Sequence, residues 1–187
     1  MTKFGFWQAR LDAKDGWFDA TKTWTAQQRE SETCRLWAEF RARCRGVRRL
    51  VDFGAGLQRF KPHALAAGLE YLAVDVLPAL VGAPDRKASF HLFDGKTPIP
   101  VEIDGDAALF CLVLQHLDDT DAHLALSATR AKTLMLVEGA WKSDGYTVAR
   151  ERNAYDLLLR DAGCLGWMHE VFKTPLVNYK IIVGMRT

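Results

Sequence analysis

Leu50-Val51-Asp52-Phe53-Gly54-Ala55-Gly56, read with Tyr71-Leu72-Ala73-Val74-Asp75 further on, is the stretch on which the fold turns. A short apolar run ends in two glycines, helix-compatible sequence follows, and a second apolar run ends in an acid nineteen residues after Gly56. Glycines let a backbone turn tightly after a strand and come close to a ligand, and an acid at this spacing is placed to take ribose hydroxyls. GxG alone is weak; GxG between two strands, the second closed by an acid, points to a nucleoside site. Asp52, Gly54, Ala55, Gly56, Asp75 and the following Val76 are its candidate residues.

Outward from this unit the pattern alternates. Strand-like runs occur at Arg49–Phe53, Tyr71–Val76, Ser89–Phe93, Ala107–Leu112 and Thr133–Glu138, with helix-compatible sequence at Pro62–Ala67 and Asp121–Arg130. The runs are almost continuously apolar, as strands covered on both faces are. A further helix, Arg150–Ala162, is stopped by Gly163, and the strands Trp167–Phe172 and Tyr179–Met185 form an antiparallel pair. The expected fold is a single-domain, doubly wound α/β structure. Its seven-stranded, mostly parallel sheet has an antiparallel last strand and helices on both faces.

Upstream, a helix is expected from Thr25 to Cys44. Thr25 and Gln28 fit a capping box, Thr33, Trp37, Phe40 and Cys44 share a face, and Gly46 ends it. The first 22 residues are aromatic and irregular. The domain is expected to span 1–187, with 1–45 as an N-terminal lid and helix segment and 46–187 as the core.

Composition sets limits. The 187 residues are 49% apolar and 26% charged, with a net charge of +2, too small to argue for nucleic acid. No run approaches the ~20 apolar residues of a membrane span, and no secretory signal is visible at the N-terminus. Cys34, Cys44, Cys111 and Cys164 show no CxxC spacing and read as reduced thiols of a cytoplasmic protein. The histidines His63, His91, His116, His123 and His169 include no HxxxH pair or Cys/His cluster, so no metal is expected. Arg41, Arg43, Arg45, Arg48 and Arg49 form either a patch for an acidic partner or the solvated end of a helix.

The third glycine of the dinucleotide fingerprint is replaced by Arg59, which disfavours nicotinamide and flavin enzymes, and GxxxxGK[ST] is absent. From about residue 49 onward the chain resembles the class I, Rossmann-like S-adenosylmethionine-dependent methyltransferases. Val51–Gly56 is similar to the family's first motif, Asp75 to its ribose acid, and Asp94-Gly95 to the acid near the adenine amine. Leu114-Gln115-His116-Leu117-Asp118-Asp119 resembles the segment after strand four, with Cys111 three residues before it. The resemblance implies S-adenosyl-L-methionine as cofactor, held by the residues named above with Cys111. The entry segment Phe6-Trp7-Gln8-Ala9-Arg10 resembles a lid, so that Trp7 and Arg10 either fold over the cofactor or pack on the sheet edge. Gln58 stands where the family usually has another glycine.

The activity so implied is methyl transfer to an oxygen or nitrogen of a small-molecule acceptor. A hydroxyl nucleophile calls for a general base, and His116 is the candidate by position and by an ordinary pKa of about 6.5; it otherwise caps its turn or packs on the cofactor. Asp118 and Asp119 read as helix caps. Trp141, Tyr146, Arg150 and Arg152 are the candidate substrate contacts, the arginines gripping an anion or merely solvated, Trp141 walling the site or filling core. The motifs for methylating base amines, pyrimidine carbon or ribose are missing, which leaves a small metabolite or an exposed group on a larger acceptor. An RNA or protein acceptor, and a binding or scaffold protein without catalysis, remain as alternatives. Oligomeric state is open.

Overall fold

A computed structural model describes residues 24–77, 87–139, 148 and 150–187. Within them α1 (Ala26–Arg43) opens on the expected capping box: Gln28 N–H donates to Thr25 Oγ1 at 3.1 Å, and Thr25 N–H to Gln28 Oε1 at 2.7 Å. Each side chain thereby satisfies one orphan donor of the first turn. Its buried stripe is Glu32, Thr33, Leu36 and Phe40, with Trp37 half-buried. Glu32 is tolerated inside because Thr174 Oγ1 donates to its carboxylate at 2.7 Å.

The chain continues through β1 (Arg49–Phe53), α2 (Lys61–Ala66), β2 (Glu70–Asp75), β3 (Ala88–Leu92) and β4 (Ala107–Cys111). After a single 3-10 turn, Leu114–His116, come α3 (Asp119–Ala128), β5 (Thr133–Gly139), α4 (Arg152–Asp161), β6 (Gly166–Lys173) and β7 (Asn178–Met185). Two helix starts differ from the sequence expectation for local reasons. α3 begins two residues before Asp121 because Asp118 accepts the Asp121 N–H at 2.9 Å as N-cap. α4 begins at Arg152, since the Arg150 carbonyl accepts Lys180 Nζ at 2.9 Å and is held outside the helix.

The seven strands form one sheet in the order β3-β2-β1-β4-β5-β7-β6. The first five are parallel, in register through Leu50↔Tyr71 and Leu50↔Ala107. β7 is antiparallel to β5 on one side and to β6 on the other. This is the doubly wound arrangement expected, with helices on both faces.

The pleat divides the buried side chains between two cores. On one face Val51, Phe53, Leu72, Val74, Phe110, Leu134 and Leu136 meet Ala122 and Leu126 of α3 and Tyr155 and Leu159 of α4. Phe53 anchors this core, with ring centroids 5.0 Å from Phe93 and 4.8 Å from Phe110. On the other face Leu50, Tyr71, Leu109, Met135 and Tyr179 meet Leu36 and Phe40 of α1 and Ala64 of α2.

Two arginines of the basic stretch are engaged by acids. Arg43 pairs with Glu39 and with Glu170 of β6, and Arg49 Nε donates to Glu70 at 2.6 Å. Among the described residues no helix is long and apolar enough to cross a membrane.

Candidate active site

The strand order reverses between β1 and β4: β2 and β3 lie to one side of β1, and β4 and β5 to the other. A crevice outside the carboxyl ends of the strands at such a switch point is where open α/β sheets bind ligands. Three segments converge there: the turn after β1, the end of β2 and the loop after β4.

The turn after β1 folds back on β2. Gly54 and Ala55 both donate their N–H groups to Val74 O, at 2.7 and 3.1 Å. Gly54 has φ +69°, and a Cβ there would lie 2.5 Å from Val113 Cγ2, so this position needs glycine twice over. Gly56, at φ +51°, differs: a Cβ there would meet nothing nearer than Gly54 O at 4.0 Å, which leaves this side of the turn open to a ligand. Gln58 has a positive φ of 54° and is buried, a conformation a non-glycine residue adopts at some cost.

Asp75 joins the two motifs physically. Its Oδ2 accepts the Gly56 N–H at 2.9 Å and its Oδ1 the Leu77 N–H at 3.1 Å. Burial pushes its carboxyl up, while the N–H groups of Gly56, Leu77 and Val76 pull it down. Val76, half-buried, packs against the core beside it.

Asp52 takes another direction. It alternates with Val51 and Phe53 and therefore faces the α1 side, where Tyr71 OH donates to its Oδ2 at 2.6 Å. Burial pushes this carboxyl up to about 6. Beside it Arg59 Nη2 donates to Cys111 Sγ at 2.8 Å, with the guanidinium 4.9 Å from the Phe60 ring. Burial raises the Cys111 thiol to about 11. In the sequence Arg59 stands out only as the place of a missing glycine. Its engagement with Cys111, fifty-two residues away, left no local signal.

Asp94 is exposed after β3 but closes its own turn. Its Oδ1 accepts the N–H groups of Lys96 and Thr97 at 2.8 and 2.6 Å, and its Oδ2 accepts Thr97 Oγ1 at 2.6 Å. These bonds hold its carboxyl down at about 2. Gly95 supplies the left-handed residue of that turn.

The loop after β4 is gripped from two sides. It leaves the strand through Leu112, held at φ +61° with its N–H on Val137 O at 2.7 Å. Glu138, at the end of β5 and fully buried, accepts the N–H groups of Leu114 and Gln115 at 3.1 and 3.0 Å. Burial outweighs these bonds and raises its carboxyl to about 8. Arg150 holds the carbonyls: Nη1 donates to Leu114 O and Nη2 to Leu117 O, both at 2.6 Å, and Nε to Asp119 at 2.9 Å. Arg150 is thus turned into the protein, where its guanidinium is spent on Leu114 O, Leu117 O and Asp119, away from the anion-gripping role considered for it.

His116 ends the 3-10 turn, half-buried, with Nε2 3.2 Å from Gln115 Nε2. The Gln115 Oε1 accepts the Gly139 N–H, which turns its amide nitrogen toward His116 and leaves Nε2 as the acceptor. Arg152 is exposed at the start of α4. Trp7, Arg10, Trp141 and Tyr146 lie outside the described residues.

No family model matches the sequence, and no curated protein matches it. Solved structures do match in fold. Magnesium protoporphyrin IX methyltransferase from Synechocystis, with S-adenosylhomocysteine bound, superposes with a TM-score of 0.67 at 16% identity, over 98% of this chain and 94% of that one. A 1,6-didemethyltoxoflavin-N1-methyltransferase from Burkholderia thailandensis gives 0.67 at 18% identity, covering 99% and 87%. The fold is that of the class I S-adenosylmethionine-dependent methyltransferases. A methyltransferase from Archaeoglobus fulgidus shares it at a TM-score of 0.61 and 15% identity, over 81% of this chain and 94% of that one. In this methyltransferase fold the Gly54–Gly56 turn, Asp75 and the Glu138-held loop lie at the carboxyl ends of the strands.

Proposed function

We propose that the chain is an S-adenosylmethionine-dependent methyltransferase acting on a small-molecule oxygen or nitrogen nucleophile. The observation that carries this is the Gly56–Asp75 bond. It sets a carboxylate with further lone pairs beside a turn whose outer side is open. Those features fit the nucleoside end of the cofactor. Asp75 would accept the ribose hydroxyls, the Gly54–Gly56 backbone would let the ligand approach, and Val76 and Asp94 would border the base. Cys111, Trp7 and Arg10 complete the proposed cofactor set.

When bound, S-adenosylmethionine supplies a methyl group made electrophilic by its sulfonium. The protein's part is alignment and exclusion of water. The loop that carries His116 is held at both its N–H and its carbonyl groups by Glu138 and Arg150, which fixes the imidazole relative to the crevice. His116 receives the acceptor's proton at Nε2, the Gln115 amide giving way to the acceptor there. Arg152, Trp141 and Tyr146 are the proposed acceptor contacts, and Arg150 positions the loop instead of touching the acceptor. The reading takes 1–187 as one domain, with 1–45 as lid and first helix. The four cysteines, all free, fit a reducing compartment such as the cytoplasm.

Calorimetric titration with S-adenosylmethionine, S-adenosylhomocysteine and NAD tests the reading. Micromolar binding of the first two and none of NAD is expected. A folded protein that binds neither would be a Rossmann-like scaffold working through a partner.

A further inference from the structure

Glu30 and Cys34 stand one turn apart on α1 and so share a face, and His63 of α2 comes up against them. His63 Nε2 lies 3.4 Å from Glu30 Oε1, Cys34 Sγ lies 3.5 Å from that same oxygen, and all three donor atoms fall within 4.8 Å of one another. This trio lies apart from the crevice, on the helices that cover the opposite core.

The spacing has a chemical meaning. A tetrahedral zinc ion with bonds of about 2.0–2.3 Å sets neighbouring ligand atoms roughly 3.3–3.8 Å apart. The two distances to Glu30 Oε1 already fall in that interval without any ion to enforce them. The imidazole is also pre-oriented. It stacks on Trp37 at 6.1 Å with planes 28° apart, and Trp37 stacks on the fully buried Phe40 at 5.2 Å. A ligand whose ring plane is fixed by the core loses little freedom on binding.

We propose that Glu30, Cys34 and His63 bind a divalent cation of the zinc class, with a solvent molecule or a ligand from outside as fourth donor. One sulfur, one nitrogen and one carboxylate oxygen select zinc or cobalt(II) over magnesium and calcium, which need mostly oxygen. Thiolate and carboxylate balance the two positive charges. Binding breaks the Cys34 S–H bond, forms an S–metal bond and releases the proton to solvent, so apparent affinity rises with pH. The ion would tie α1 to α2, the helix that follows the Gly54–Gly56 turn, and its binding does not depend on the methyltransferase reading.

The test uses tag-free full-length protein stripped with a chelator and titrated with cobalt(II) as an optical probe. A thiolate-to-cobalt charge-transfer band with tetrahedral d–d bands should saturate at one equivalent and be displaced by zinc. Cys34→Ser should abolish the charge-transfer band, His63→Ala should weaken binding by at least about tenfold, and Cys111→Ser should leave both unchanged. A readout on the unaltered chain is alkylation of the exposed Cys34, followed by mass spectrometry, which zinc should suppress. No charge-transfer band, a band that survives Cys34→Ser, or alkylation indifferent to zinc would each overturn the proposal.

Discussion

Gln115 donates its backbone N–H to Glu138 Oε2 at 3.0 Å, and that bond fastens the loop after β4 to the end of β5. Because Glu138 is fully buried, the loop's position is coupled to the protonation of a carboxyl raised to about 8.

The coupling has a sign. A carboxyl raised on folding keeps a proton that the unfolded chain gives up. Its stabilisation is therefore complete below its ordinary value of 4.5 and is lost as pH rises toward about 8. Asp52 acts in the same direction over the interval from 3.8 to about 6. The melting temperature should therefore fall between pH 5 and pH 8.5, by about 2–4 °C for each kcal/mol lost. In Glu138→Gln the upper part of that slope should flatten, and in Asp52→Asn the lower part. A wild-type curve flat over the whole range would contradict the assignment.

Arg150 makes three hydrogen bonds, two to carbonyls of the same loop and one to Asp119 at the start of α3. Arg150→Met removes the guanidinium donors to Leu114 O and Leu117 O, at a cost of about 3 kcal/mol in urea unfolding. Arg150→Lys should recover little, since a single ammonium does not reproduce the planar fork. A loss below roughly 0.5 kcal/mol, the usual range of surface substitutions, would place Arg150 at the surface.

Asp75→Ala removes a charged acceptor from the proposed ribose site. Affinity for S-adenosylmethionine should drop by about 1.5–3 kcal/mol, roughly ten- to a hundredfold. Calorimetry on Asp75→Ala and Asp75→Asn, the latter keeping one oxygen, reads this directly, and unchanged affinity removes Asp75 from the site.

His116→Ala should lower turnover by about 10²–10⁴-fold while leaving cofactor affinity as it was. Once an acceptor is in hand, steady-state rates and calorimetry on the same sample separate the two effects. A parallel loss of both would make His116 a packing residue.

The two glycines of the turn should respond unequally. Gly54→Ala combines a positive φ with a contact of 2.5 Å to Val113 Cγ2 and should cost about 2 kcal/mol or more. Gly56→Ala meets no such neighbour and should cost about 1 kcal/mol, chiefly backbone strain. Equal losses in chemical denaturation would mean that Val113 moves aside freely.

The interior strands were legible because each is apolar on both faces, a pattern that a parallel sheet imposes on almost every residue. Gly54, Gly56 and Asp75 were legible for a related reason: their spacing is dictated by one strand–helix–strand unit, which is local in sequence. Asp52, in the same motif, alternates with Val51 and Phe53 and so faces the α1 side of the sheet, where its partner Tyr71 comes from the next strand. Arg150 reads in the sequence as an anion-gripping or solvated cation because its partners, Leu114 O and Asp119, lie more than thirty residues upstream. Cys34 and His63 likewise carry no mutual signal along the chain, since only the packing of α2 against α1 brings them together. Contacts set by tertiary packing have no periodicity to betray them.

The place of β7 bears on how the molecule is made. β7 lies inside the sheet, between β5 and β6, yet it follows both in the chain. During synthesis β5 therefore waits with an open edge of apolar residues such as Leu134 and Leu136, and β6 has no neighbour to join. Only when residues 178–185 leave the ribosome does the sheet close. A nascent chain halted before that point presents an unpaired strand edge, the kind of surface on which proteins misassociate. Completion of the fold is in this sense an event of the last strand.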